Sequence, residues 1–213
     1  MQSPQRFLVP LFIFISIIIG INPYDRATWL LENMMTLFFA IFVFFQQRRH
    51  PFSAASWWMI FGFGTLHVIG SHYTYSLVPY NDWSDAVMGV RLNDLLGWER
   101  NHFDRLVHLF YGLLLFLPIR EVMNNRAGLQ GNAASYFTLE FVMASSLIYE
   151  LVEWGAAVTF GGDVGMAYLG TQGDIWDAHK DMALAALGAL VSWLILAFSA
   201  DRLRNQERKK VLR

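Results

Sequence analysis

The sequence predicts an all-α fold: one integral membrane domain over residues 1–213, a bundle of about six transmembrane helices with both termini in the cytoplasm. Three observations lead there. The 213 residues are 55% hydrophobic and 15% charged, with 18 Phe and 8 Trp, which leaves too little polar surface to clothe a soluble domain. Six apolar runs approach the roughly 20 residues needed to cross a hydrocarbon core at about 1.5 Å per residue. The basic residues are one-sided: eleven at one set of run ends (Arg6, Arg48, Arg49, Arg120, Arg126 and six in the tail DRLRNQERKKVLR) against five at the other (Arg26, Arg91, Arg100, Arg105 and Lys180). Positive residues stay inside, so the larger group marks the cytoplasmic face. With a net charge of −1, this asymmetry concerns topology and not nucleic acid.

The first run, near residues 7–21, follows a single Arg6; no small-x-small cleavage pattern comes after Ile21, so it reads as a retained helix and not as a cleaved signal. The second, near 29–45, carries Glu32, and the third, near 57–75, carries His67 and His72. The connector SLVPYNDWSDAVMGVRLNDLLGWERN places Trp83, Val87 and Val90 at helical spacing with Asp82, Asp85 and Asp94 among them. It reads either as a short amphipathic lid anchored by Trp83 and Trp98 or as a solvated link. The remaining runs lie near 103–119, 136–160 and 182–200. The first, second and fourth are short for free-standing spans, which implies tilted neighbours, buried polar ends or a thinned bilayer. The glycines of FGGDVGMAYLGTQGD suit a compact re-entrant or surface turn; the segment lacks the Lys and Ser/Thr of a phosphate loop.

On this topology the ionisable residues converge on the outer leaflet. Glu32 opens the second run, His67 and His72 close the third, Asp104 and His108 open the fourth, Glu150 and Glu153 approach the end of the fifth, and Asp177 and Asp181 open the sixth. Asp104 and His108 are four apart, as are Asp177 and Asp181, and Glu150 and Glu153 are three apart, so each pair shares a helix face. His102 falls about 120° around the helix from His108 and ranks lower.

Five carboxylates (Asp104, Glu150, Glu153, Asp177, Asp181) meet three nearby cations (Arg100, Arg105, Lys180), an excess of two. An ionised group deep in a membrane helix costs roughly 2.5 to 3.5 kcal/mol, so the surplus must be wet, protonated or bound to a cation. With no cysteine in the chain, a metal has only imidazole and oxygen ligands, which suits Zn²⁺, Mn²⁺, Fe²⁺ or Mg²⁺. The predicted metal ligands are Asp104, His108, Asp177 and Asp181, with Glu150 or Glu153 as a further ligand or proton-transfer group, and with Glu32, His67, His72, Arg100, His102 and Arg105 as other polar members of the site. The plainer alternatives are an interhelical clasp, with Asp104 on Arg100 and Asp177 on Lys180, and helix capping by Asp174 and Asp177. Tyr149 and Trp154 read as packing and interface anchors. Ser145 and Ser146 lie near mid-membrane without any HExxH or GxSxG context, so no nucleophilic triad is visible.

The segments RNHFDRLVHLFYG, YELVEW and LGTQGDIWDAHKDM together resemble the YjdF-like family of bacterial inner-membrane proteins over nearly the whole chain. That resemblance implies a multi-helix protein of the inner membrane and attaches no substrate to it. A weaker similarity is to VanZ-like membrane proteins, in which an Asp and a His four apart open one helix, an acidic residue falls late in the next, and an Asp leads into a glycine-containing last helix. Asp104, His108, Glu150, Asp177, Asp181 and Gly188 match those roles, while YELVEW stands where that pattern has a Glu with a later Gln and an Arg-containing loop. Some VanZ-like proteins are linked to glycopeptide resistance and the cell envelope, so this likeness points to an envelope-facing site.

The expected function is cation-assisted binding or processing of an envelope lipid or glycan, with the bilayer as the other partner. One rival is a proton- or cation-coupled transporter, which needs charges spread through the membrane, whereas only Glu140 sits near the opposite end of its helix. The other is a structural or partner-binding protein whose polar cluster locks helices together.

Overall fold

The computed structural model describes residues 4–162, 165 and 169–211, with side chains as far as residue 199. Among them are eight helices and no strand: α1 (Gln5–Gly20), α2 (Arg26–Arg49), α3 (Ala54–His72), α4 (Tyr80–Met88), α5 (Leu92–Leu96), α6 (Phe103–Ala127), α7 (Gly131–Phe160) and α8 (Asp177–Val211). Residues 163, 164 and 166–168 of the glycine-rich turn, and the side chains of the basic tail, lie outside the described residues.

Local chemistry sets the helix ends. Asp25 accepts a 2.7 Å hydrogen bond from the Thr28 amide and opens α2; Ser53 accepts one of 3.1 Å from the Ser56 amide and opens α3. Gly89, Gly97 and Gly128 adopt left-handed conformations and close α4, α5 and α6. Helical hydrogen bonding does not need an apolar sequence, so the helices outrun the hydropathy signal. The second and fourth runs, short by hydropathy, become helices of 24 and 25 residues. Likewise α8 begins five positions before the expected residue 182 and carries both Asp177 and Asp181 within its first two turns.

Among the described residues four helices are long and apolar enough to cross a membrane: α2, α6, α7 and the part of α8 over Asp177–Ser199. The apolar α1 is shorter, at 16 residues. Large side chains such as Phe14, Phe38, Leu147, Leu194 and Phe198 point outward, as they do against lipid tails, where burying apolar surface brings no solvent gain.

The central pairing is α6 on α8, with α3 on another side of α6, α1 and α2 on α3, and α7 against both α6 and α8. Two glycines permit the approach of α6 and α8. A Cβ on Gly112 would collide with the Ala185 carbonyl oxygen, and one on Gly188 with that of Leu109. Phe116, Val142, Ala185 and Ala189 fill the space between α6, α7 and α8. This contact holds the N-terminal turns of α6 and α8 side by side, which places Asp104 and His108 opposite Asp177 and Asp181.

The connector between α3 and α6 forms a fixed roof. Its inner side rests on Tyr75, Val78, Tyr80, Phe103 and Val107. The Tyr80 hydroxyl donates to Asn93 Oδ1 at 2.7 Å and accepts from the His102 amide at 2.9 Å. Asn101 and Gln172 exchange hydrogen bonds of 3.0 Å, from the Asn101 amide to Gln172 Oε1 and from Gln172 Nε2 to the Asn101 carbonyl, stitching this roof to the loop before α8. Val87 and Val90 of the apolar stripe are exposed, and Val90 lies beyond the Gly89 cap; Tyr80 and Ser84 are the buried side of α4. The reason is that α4 is held by polar contacts such as the Ser84 hydroxyl accepting from the Leu92 amide, and not by its apolar stripe.

Candidate functional site

The polar residues divide into two layers along the α6–α8 seam. In the outer layer Arg100 Nη1 meets Asp177 Oδ1 at 2.6 Å and donates to the Thr171 carbonyl at 2.8 Å. Arg105 Nη2 pairs with Asp174 and lies 3.3 Å from Asp177 Oδ1, while Lys180 Nζ meets Asp174 Oδ2 at 2.6 Å. The clasp expected from sequence therefore exists with different partners: Arg100 takes Asp177 and not Asp104, and Lys180 takes Asp174 and not Asp177. Asp174 also accepts from the Trp176 amide just ahead of α8. The Lys180 ammonium, the Trp176 amide and the Arg105 guanidinium hold the Asp174 carboxyl well below the usual carboxylate range.

A pH dependence follows from that shift. A depressed folded-state pKa contributes stability that is present above the unfolded value of about 3.9 and is lost as pH falls through the lower folded value. Thermal melts in detergent should show midpoints that drop below about pH 4, and Asp174→Asn should start lower at neutral pH and fall less on acidification. Parallel wild-type and mutant curves would assign the acid sensitivity elsewhere.

Among the described residues the inner layer contains no arginine or lysine. His108 Nε2 lies 3.6 Å from Asp104 Oδ1 and 3.6 Å from Glu150 Oε1. One ligand atom from each of Asp104, His108 and Asp181 lies within 4.8 Å of the others. Asp181 Oδ1 and Glu150 Oε1 are buried and accept no hydrogen bond. Among the described residues every ion pair of Arg100, Arg105 and Lys180 goes to Asp174 or Asp177, so the surplus negative charge collects in this layer. Metal–ligand bonds of about 2.0 to 2.2 Å require ligand atoms to stand about 3 to 4 Å apart, so small rotamer changes would bring these three onto one ion.

Two further elements flank the layer. Tyr149 packs edge-on against His108, with ring centres 5.8 Å apart, and donates to Glu32 Oε2 at 3.1 Å. Glu32 is thereby drawn from α2 to the edge of the site, buried, and Tyr149 is a site member that sequence reasoning assigned to packing. Glu153 follows one turn later on α7; Trp154 is exposed. His67 shares a hydrogen bond with the Tyr75 hydroxyl, and His72 Nδ1 donates to the Ile19 carbonyl at 2.5 Å, so both histidines tie α3 to its surroundings. His102, at the N-cap of α6, stacks on Trp98 with ring centres 4.3 Å apart and meets Arg105. Burial, followed by the charges of Arg105 and Arg100, lowers its pKa, so it is held neutral beside the clasp. Ser145 shares a 2.6 Å hydrogen bond with the Tyr111 hydroxyl, away from the site.

The family model described as a predicted membrane protein, DUF2238, matches residues 4–202. The chain belongs to this family. It is also 35% identical over 188 residues to the inner membrane protein YjdF of Escherichia coli strain K12, covering 87% of this chain and 86% of that protein. No solved structure matches it significantly. This kinship and the apolar helices make the chain a bacterial inner-membrane protein, in agreement with the resemblance carried by the three motifs. The matched span contains both layers of the site.

Proposed function

We propose that this family member is a six-span, single-domain protein of the inner membrane, with both termini cytoplasmic, that binds a divalent cation near the outer leaflet and uses it to bind or process an envelope component. Asp104, His108 and Asp181 are the ligands, and Glu150 is a fourth ligand or the proton-transfer group. The carrying observation is the buried, unpartnered Asp181 Oδ1 beside Asp104 and His108, in a layer whose nearest arginines and lysine are already paired. A buried carboxylate without a partner is costly, and a cation removes that cost. A cation with an open coordination position polarises a phosphoryl or carbonyl oxygen or lowers the pKa of a bound water. Three ligands supplied by this chain leave such a position.

Elemental analysis of purified protein, with melts in detergent across a Mn²⁺ and Zn²⁺ series, tests the reading. A concentration-dependent rise in the melting midpoint supports it; the absence of both bound metal and any rise refutes it. The clasp reading is favoured for one part of the cluster, since Asp177 pairs with two arginines. We therefore assign Asp177 to holding α6 and α8 together and not to the metal.

The orientation rests on the basic residues. Val87 is 85% exposed on the connector and is the suitable probe position. A cysteine there, in a chain with none of its own, should react with an impermeant thiol reagent added to spheroplasts. Reaction only after permeabilisation would place the site on the cytoplasmic face.

A further inference from the structure

We infer that the envelope component carries a phosphate group, bound jointly by the cation and by Arg100 and Arg105; this rests on the cation reading above. The two layers have opposite deficits. The inner layer has buried acceptors without donors, Asp181 Oδ1 and Glu150 Oε1. The outer layer has buried donors without acceptors, Arg100 Nη2 and Arg105 Nε, on guanidiniums whose other nitrogens are committed to Asp174, Asp177, His102 and the Asn101 and Thr171 carbonyls. Arg105 adjoins Asp104 in the chain, and Asp177 precedes Asp181 by one turn of α8, so the deficits are neighbours along one seam.

A metal ion alone satisfies only the acceptors. A neutral sugar hydroxyl offers weak oxygen ligands and no charge to two guanidiniums. A phosphate ester offers several anionic oxygens on one tetrahedral centre, so one oxygen ligates the cation while another accepts from the arginines. The charges agree with this choice. Within the outer layer Arg100, Arg105 and Lys180 exceed Asp174 and Asp177 by one positive charge, so this layer takes a further anionic oxygen. The source is either a lipid headgroup entering from the outer leaflet or a free phosphate compound from outside.

Titration calorimetry in a phosphate-free maltoside detergent separates the possibilities. Mn²⁺ is titrated first, and its binding tests the cation reading alone. Inorganic phosphate, dioctanoyl phosphatidylglycerol and dioctanoylglycerol are then titrated with and without Mn²⁺. The phosphate inference expects at least tenfold tighter binding of a phosphate compound with Mn²⁺ than without it, and none of dioctanoylglycerol. Tighter binding of the phospholipid identifies a headgroup; equal or tighter binding of inorganic phosphate identifies a soluble ligand. Arg105→Gln risks losing the clasp, so Arg105→Lys is the working variant: it keeps the charge toward Asp174 and removes Nε. It should bind Mn²⁺ as the wild type does, which reports an intact fold, and bind the phosphate compound at least tenfold more weakly. Mn²⁺ binding with no phosphate binding, or with phosphate binding unchanged in Arg105→Lys, overturns the inference and leaves the cation reading standing. Absence of Mn²⁺ binding overturns both.

Discussion

Asp181→Asn is expected to abolish the Mn²⁺-dependent thermal shift and to leave the cation-free protein as stable as the wild type or more so, whereas Asp177→Asn, one turn earlier on the same helix, should be strongly destabilised. The two aspartates are both buried, at 2% and 4% exposure, so burial alone predicts the same outcome for both. Their partners differ. Asp177 meets Arg100 at 2.6 Å and lies 3.3 Å from Arg105, which keeps Asp174; neutralising Asp177 leaves the largely buried Arg100 guanidinium without its close anion, at a cost of roughly 3 kcal/mol, the lower end for a broken buried pair. Asp181 faces Asp104 and His108 with an oxygen that accepts nothing, so an uncharged amide there relieves like-charge repulsion. With the cation at a hundred times its dissociation constant, binding to the folded state alone adds about 2.7 kcal/mol. That is a rise of about 5 to 10 °C for a chain of this size, absent in Asp181→Asn. Melts of three proteins with and without Mn²⁺ decide the matter. Equal destabilisation of both mutants, with no shift in the wild type, would make the whole cluster a clasp.

Gly112→Val is expected to be strongly destabilising, although it alters no ligand. The atoms a Cβ would strike at Gly112 are backbone, the Ala185 carbonyl oxygen and the Ala189 nitrogen, and backbone cannot rotate aside as a side chain does. Overpacking costs about 1 to 3 kcal/mol where side chains adjust; here α6 and α8 must separate, so we expect about 3 kcal/mol or more. Separation widens the gap between the Asp104–His108 pair and Asp181, so the Mn²⁺ shift disappears together with stability. Gly155→Ala on α7 is the control. Nothing lies within 4 Å of the added methyl group, and alanine in a helix interior is favoured over glycine by up to about 1 kcal/mol. A Gly112→Val protein that melts like the wild type and keeps its Mn²⁺ response would show that the seam is not held by close backbone contact.

Much of the fold was legible because its cause is local. Apolar runs of membrane length must form helices, since a backbone in lipid has to satisfy its own hydrogen bonds. The four-residue spacing of Asp104 with His108, and of Asp177 with Asp181, follows from helical geometry whatever surrounds it, so a polar seam between two helices was readable from residues alone. The helix ends were less so. Hydropathy stops near residue 119 while α6 continues to Ala127, because a polar sequence propagates a helix until Gly128 turns it off.

The surplus of carboxylates over cations was a property of the sequence, and so was the absence of any thiolate ligand. Which carboxylates would go without a cation was decided by tertiary structure. Arg100 and Arg105 precede and open α6, within reach of Asp104, yet they turn outward to Asp174 and Asp177, contributed by a loop and a helix some seventy residues later. Tyr149 looks like an aromatic anchor until α2 brings Glu32 to its hydroxyl. Gly112 and Gly188 are ordinary helix glycines until the backbones of α6 and α8 meet there. The physical reason is the same in each case. Composition and periodicity settle what one helix must bury, but the pairing of a buried charge depends on which groups from distant helices arrive within hydrogen-bonding distance, and only packing determines that.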